Sequence, residues 1–135
     1  MWGGGDEVHA LRLQEDIEAC ARLGIEHRWL GLPEVVQRDP GLRHVRELFA
    51  VGWAAPEQDA IYDDVYSALV ALLLEHPRAI VLGPLGMGEH RDHVLVHAAL
   101  RSAWRLARRT ADLYLYEDFP YVLRGSLAAR LLALG

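Results

Sequence analysis

Lysine and asparagine are absent from this 135-residue chain, and all 14 of its basic residues are arginine. Without lysine there is no Schiff-base amine and no Walker-type phosphate-binding lysine. Pyridoxal-phosphate chemistry and Walker-type nucleotide hydrolysis are therefore excluded for this chain alone. Cysteine is reduced to Cys20. A single thiol closes no internal disulfide, so the expected setting is a reducing compartment, the cytoplasm. Cys20 falls within an apolar helical pattern and reads as a buried structural thiol rather than a nucleophile. Long hydrophobic runs are lacking too. Ala68 to Leu74 is far short of the roughly 20 residues of a membrane-spanning helix, so no membrane association is expected. The opening Met1-Trp2-Gly3-Gly4-Gly5-Asp6-Glu7 has no charged start followed by an apolar stretch, and no signal peptide is read there. Positive charge is in the minority: 19 acidic residues against 14 basic give a formal charge of -5. That balance argues against a general nucleic-acid binder, which needs a basic face. Arg101, Arg105, Arg108 and Arg109 cluster on one helical stretch and read as a solvated face. No internal repeat is visible.

What is present is a globular composition, 52% hydrophobic, at a length that suits one domain over residues 1–135. Residues 7–23 carry apolar side chains at helical spacing, and Gly24 is a natural stop. Ile25 to Leu32 alternates loosely and predicts a short strand ended by Pro33. Residues 33–58 are punctuated by Pro40, Gly41, Gly52 and Pro56, with a short helix expected near Leu42 to Phe49. Pro56 opens a helix in which Ile61, Val65, Leu69 and Leu72 form one stripe, and Pro77 closes it. Ala79 to Leu82 predicts a strand buried on both faces. A third long helix is expected from about Glu89 to Arg109, a strand over Asp112 to Tyr116, and a last helix over Ser126 to Leu134. Strands alternating with helices predict an α/β fold with a mostly parallel sheet and right-handed crossovers. In such sheets ligands bind beyond the carboxyl ends of the strands. The loops there would carry Glu34 and Arg38; His90, Asp92 and His93; and Glu117 and Asp118.

Of the seven histidines, His90, His93 and His97 stand at i, i+3 and i+7, near one face of a helix. His93 and His97 have the i, i+4 spacing of helical zinc sites. Imidazole is the commonest metal ligand, and Asp92 could orient one of the rings. His97 lies among apolar residues, where a hydrogen-bonded core histidine is the plainer reading. His90 and His93 sit at the mouth of a glycine loop, Gly86-Met87-Gly88, and are the stronger candidates. That loop lacks the third glycine and the acidic partner of a dinucleotide fingerprint.

Gly86-Met87-Gly88-Glu89-His90-Arg91-Asp92-His93-Val94 resembles the H-x-D-H signature of the LmbE-like, or GlcNAc-PI de-N-acetylase (PIG-L), family of zinc-dependent N-deacetylases. Three further stretches agree in order. Arg12-x-x-Glu15 with Leu23-Gly24 resembles the family's R-x-x-E…L-G helix. Leu30-Gly31-Leu32-Pro33-Glu34 with Arg38 is similar to an L-G-L-P-D…R segment. Leu115-Tyr116-Glu117-Asp118-Phe119-Pro120-Tyr121 resembles a Y-E-D-x-P-Y stretch. The resemblance implies a three-layer Rossmann-like α/β/α fold, a divalent metal, zinc, and hydrolysis of an N-acetylated amino sugar or related small molecule. It implies His93 as metal ligand and His90 as the group that polarises the oxyanion or protonates the leaving amine. Asp92 would orient a histidine, and Glu34, Arg38 and Asp118 would line the substrate pocket. The family's H-P-D-D-E motif, with two metal ligands and the general base, has no counterpart here. The expectation is thus an N-terminally truncated fold, impaired or inactive by itself, whose open sheet is covered by a second copy in a homo-oligomer. Two alternatives stand beside it: a non-catalytic sugar-binding module, and a metal-binding domain using His90, His93 and His97.

Overall fold

The computed structural model describes residues 5–49, 55–107 and 110–124. The chain divides into two compact units, Met1–Pro33 and Glu34–Gly135. In the first unit, α1 spans Gly5–Leu23. It stops where predicted. Gly24 takes a positive φ of 66°; its N–H donates to the Ala21 carbonyl, and the Ile25 N–H donates to that of Cys20. This is a Schellman closure, which satisfies carbonyls the helix leaves free. Cys20 is half-buried, so the expected full burial of its thiol is not found. The strand expected over Ile25 to Leu32 does not form: the segment is irregular, with Ile25, Trp29 and Leu30 exposed. A strand exists only by pairing, and loose alternation supplies no partner.

The second unit holds α2 (Val35–Arg38), α3 (Tyr62–Glu75), β1 (Ile80–Pro84), α4 (Arg91–Leu106) and β2 (Asp112–Tyr116). Short 3-10 turns occupy Val45–Leu48, Pro56–Gln58, Met87–Glu89 and Tyr121–Arg124. The first of these stands where a short helix was expected, and Pro56 opens the turn that leads into α3. The last expected helix, residues 126–134, lies outside the described residues.

The two strands are parallel and adjacent, Ile80 opposite Asp112 through Pro84 opposite Tyr116, and α4 is the crossover between them. A mixed α/β architecture is thus present, with a sheet of two strands among the described residues. Side chains alternate between the faces of a strand. Val81, Gly83, Leu113 and Leu115 share the face toward α4. An added Cβ at Gly83 would run into Leu100 of α4, so glycine there sets how closely the helix approaches. The opposite face is bare: Ile80 is 71% exposed, Leu82 69%, Tyr114 57% and Tyr116 50%. β1 is therefore covered on one face, not on both as its apolar run predicts.

The core lies between α3, α4 and the sheet. Leu73, Ala103, Ala107 and Ala111 are buried together, with Leu69, Val81 and Trp104 packed against them. The α3 stripe runs through Val65, Leu69 and Leu73 rather than Leu72. Alanines at 99 and 103, fully buried, let α3 come close. The Trp104 indole N–H donates to the Ala111 carbonyl at 2.7 Å, fixing the turn that leads into β2. No helix of the described residues is long and apolar enough to cross a membrane.

Candidate functional site

Because β1 and β2 are parallel neighbours, their carboxyl ends lie side by side. β1 feeds the turn holding Met87, His90 and His93; β2 feeds the turn holding Asp118 and Tyr121. The ladder runs on past the strands, the Leu85 N–H donating to the Tyr116 carbonyl at 2.9 Å. Gly86 and Gly88 both take positive φ, 77° and 75°, a region costly for other residues. A Cβ at Gly88 would strike the backbone carbonyl of Tyr121, so the two turns touch at a point where only glycine fits.

Asp118 joins them. It is 1% exposed. Its Oδ2 accepts the Met87 N–H at 3.0 Å, and its Oδ1 lies 2.5 Å from His93 Nδ1. The carboxylate that meets a histidine is thus Asp118, not Asp92, and its burial places it behind His93 rather than on a pocket wall. Asp92, in the first turn of α4, turns to α2 instead: Oδ2 accepts the Val35 N–H at 3.1 Å, and Oδ1 pairs with Arg38 Nη1 at 2.6 Å.

Arg38 also forks onto Asp59, Nε to Oδ1 at 2.9 Å and Nη2 to Oδ2 at 3.1 Å. Burial alone would lower the Arg38 pKa, but hydrogen bonds to Asp59 and Asp92 outweigh it and raise it. Its guanidinium faces carboxylates of this chain, where the sequence suggested a substrate contact. Arg91 holds Asp39 at 2.8 Å, and that hydrogen bond lowers the Asp39 pKa. These pairs seat the segment from Glu34 to Gly41 against the amino end of α4. Glu34 precedes α2, its N–H donating to Gln37 Oε1 at 2.9 Å.

His90 precedes α4, its backbone bridged to Phe49 in antiparallel sense. Burial lowers its pKa, against the opposing charge of Asp92, which keeps the ring neutral near pH 7. Its Nδ1 is buried without a hydrogen-bond partner. The rings of His90 and His93 are 5.0 Å apart. Tyr121 lies 5.0 Å from His90 and meets His93 edge-to-face at 5.1 Å, while Phe49 packs edge-on to His90 and Tyr121. Sequence reasoning did not single out Tyr121, Phe49 or Asp59. Tyr121 stands at the end of the stretch beginning Leu115, so that stretch held the signal; Phe49 and Asp59 carried none.

His97 belongs elsewhere. Its Nδ1 meets the Pro84 carbonyl at 2.9 Å, the hydrogen bond of a core histidine. Among the described residues no three His, Cys, Asp or Glu side chains converge as a metal group. A catalytic zinc takes three protein ligands besides water. His93, its Nδ1 turned to a carboxylate and its Nε2 left over, fits as one ligand; the described residues do not complete the set.

The chain is similar to a 2'-N-acetylparomamine deacetylase of Streptomyces fradiae. The two are 31% identical over 119 residues, 87% of this chain and 40% of that protein. The chain thus spans less than half the length of this relative. No protein-family model matches the chain, and no solved structure matches it.

Proposed function

We propose that this chain carries part of the active site of a zinc-dependent N-deacetylase acting on an N-acetylated amino sugar. The observation that carries the reading is His93, backed by a buried carboxylate at the carboxyl ends of two parallel strands, where α/β sheets bind ligands. The substrate class is supported by the printed activity of the relative. His93 would hold the metal through Nε2, with its remaining ligands supplied by groups other than the described residues. When bound, the metal would supply Lewis-acid activation of the acetamide and of water. His90, kept neutral by burial, would offer a hydrogen bond to the carbonyl oxygen as it gains charge. Asp92 and Arg38 would hold the 34–41 segment so that Glu34 faces the substrate.

The same reading takes the sheet as part of a three-layer Rossmann-like arrangement, supported by its bare apolar face. In the isolated chain a second copy would cover that face. The lone Cys20 suits a cytoplasmic setting.

The test is zinc uptake by the purified chain, measured by equilibrium dialysis, with amine release from N-acetylparomamine or N-acetylglucosamine followed in parallel. Expected is weak zinc binding lost in His93→Ala, saturable binding of the N-acetylated sugar, and slow or undetectable amine release. A chain that binds neither zinc nor sugar would overturn the proposal.

A further inference from the structure

We infer that Asp118 is a positioning residue. Its carboxylate fixes His93 as the Nδ1–H tautomer and presents the Nε2 lone pair away from the protein core. Three features of the two turns carry this assignment, which is independent of the reaction proposed above.

The first is the partner set of Asp118. Its Oδ2 is taken by a backbone N–H, that of Met87, and a backbone N–H can only donate. The second is the approach of His93. At 2.5 Å between Nδ1 and Oδ1 one proton must lie between the two atoms. With Oδ2 accepting from Met87, Asp118 meets both partners as an acceptor-only carboxylate, so the imidazole Nδ1–H is the donor to Oδ1. The opposite tautomer would point the Nδ1 lone pair at a carboxylate oxygen, two acceptors face to face. The third is confinement. The Asp118 side chain is fully buried, so no water replaces either partner. Tyr121, from the same turn, packs edge-to-face on the His93 ring at an interplanar angle of 90° and opposes its rotation. The turn after β2 therefore holds the histidine by its nitrogen and by its ring face.

This differs from lining a pocket. A residue 1% exposed does not touch a ligand; it acts through His93. It also explains why the position needs an aspartate. Asparagine would turn an N–H toward either the Met87 N–H or His93 Nδ1, and in the second case the imidazole would have to change tautomer to accept it.

The experiment is long-range proton–nitrogen correlation on histidine-labelled protein without metal, at a pH about two units above the ordinary histidine pKa of about 6.5. His93→Gln assigns the resonance. His97 is an internal control, because its Nδ1 faces the Pro84 carbonyl and must also carry a proton. Expected in the wild type is the Nδ1–H form for both rings. In Asp118→Ala, His93 alone shifts to the Nε2–H form that free histidine favours, while His97 keeps its pattern. A wild-type His93 in the Nε2–H form would overturn the inference. So would an Asp118→Ala spectrum in which neither ring changes. Should Asp118→Ala fail to fold, His97 loses its pattern as well, and the wild-type spectrum alone decides.

Discussion

Arg38 concentrates the buried charge of this molecule. Its side chain is 8% exposed and that of Asp59 5%, and both are held by a fork that only guanidinium provides. Arg38→Ala leaves Asp59 buried without its cation and frees Asp92. The expected loss is about 3 kcal/mol, read as a lower midpoint in urea unfolding. Arg38→Lys restores little of it, since one ammonium cannot serve two carboxylates in this geometry. His97 gives stability a pH dependence of known sign. Burial is the main cause of its lowered pKa, with the Pro84 hydrogen bond opposing and Arg101 adding to the fall. The unfolded ring titrates near about 6.5. Above that value both states are neutral and the stability is full. As pH falls below it, the unfolded chain takes up a proton the folded one resists, so stability declines until the folded pKa is passed. The thermal midpoint should drop between about pH 7.5 and 5.5, and His97→Gln should flatten that slope. Part of the site could be read from residues alone. His90 and His93 stood out by their glycine loop. The partner of His93 did not, because Asp118 is 25 positions away and local spacing favours Asp92 beside it. Only the pairing of β1 with β2 makes Asp118 the neighbour.

Periodicity and punctuation revealed α1, α3, α4 and both formed strands, but not α2 (Val35–Arg38), which falls in a stretch read as irregular. Gly24 stops α1 and Pro56 opens the approach to α3, because glycine and proline act through their own backbone geometry. The segment 25–32 departs from the expected strand for the complementary reason: its apolar residues suit a strand, but hydrogen-bond partners are not written in the segment itself. The one-sided cover of β1 was equally hidden, since an apolar run does not say which layers will be present. The turns that carry the site were half visible. Gly86 and Gly88 announced a turn; that Gly88 lies against Tyr121 did not show. Gly88→Ala must adopt a positive φ, costing about 1 kcal/mol or more, and must also push away the Tyr121 carbonyl. The expected outcome is a lowered thermal midpoint together with loss of the His93 tautomer preference, since the turn bearing Asp118 is displaced. A variant that is destabilised yet keeps His93 as wild type would show that the two turns move independently.

At the scale of the molecule, the face formed by Ile80, Leu82, Tyr114 and Tyr116 leaves four large apolar or aromatic side chains at least half exposed. Contiguous apolar surface of this kind marks association. Sedimentation of the wild-type chain at about micromolar concentration should give a mass above that of one copy, and Leu82→Glu with Tyr114→Glu should return it to one. A wild-type monomer would refute the homo-oligomer. The expectation of an open sheet came from the family resemblance and did not locate the bare face, because which apolar residues stay outside depends on the layers that form. The bond from the Met87 N–H to Asp118 has a further consequence, in the language of hydrogen exchange. That amide is buried, and its acceptor is the same carboxylate that holds His93. It can exchange with solvent only when the turns after β1 and β2 part. Its protection factor is therefore a direct measure of how often the histidine is released, a clock for the readiness of the site that needs neither metal nor substrate to be read.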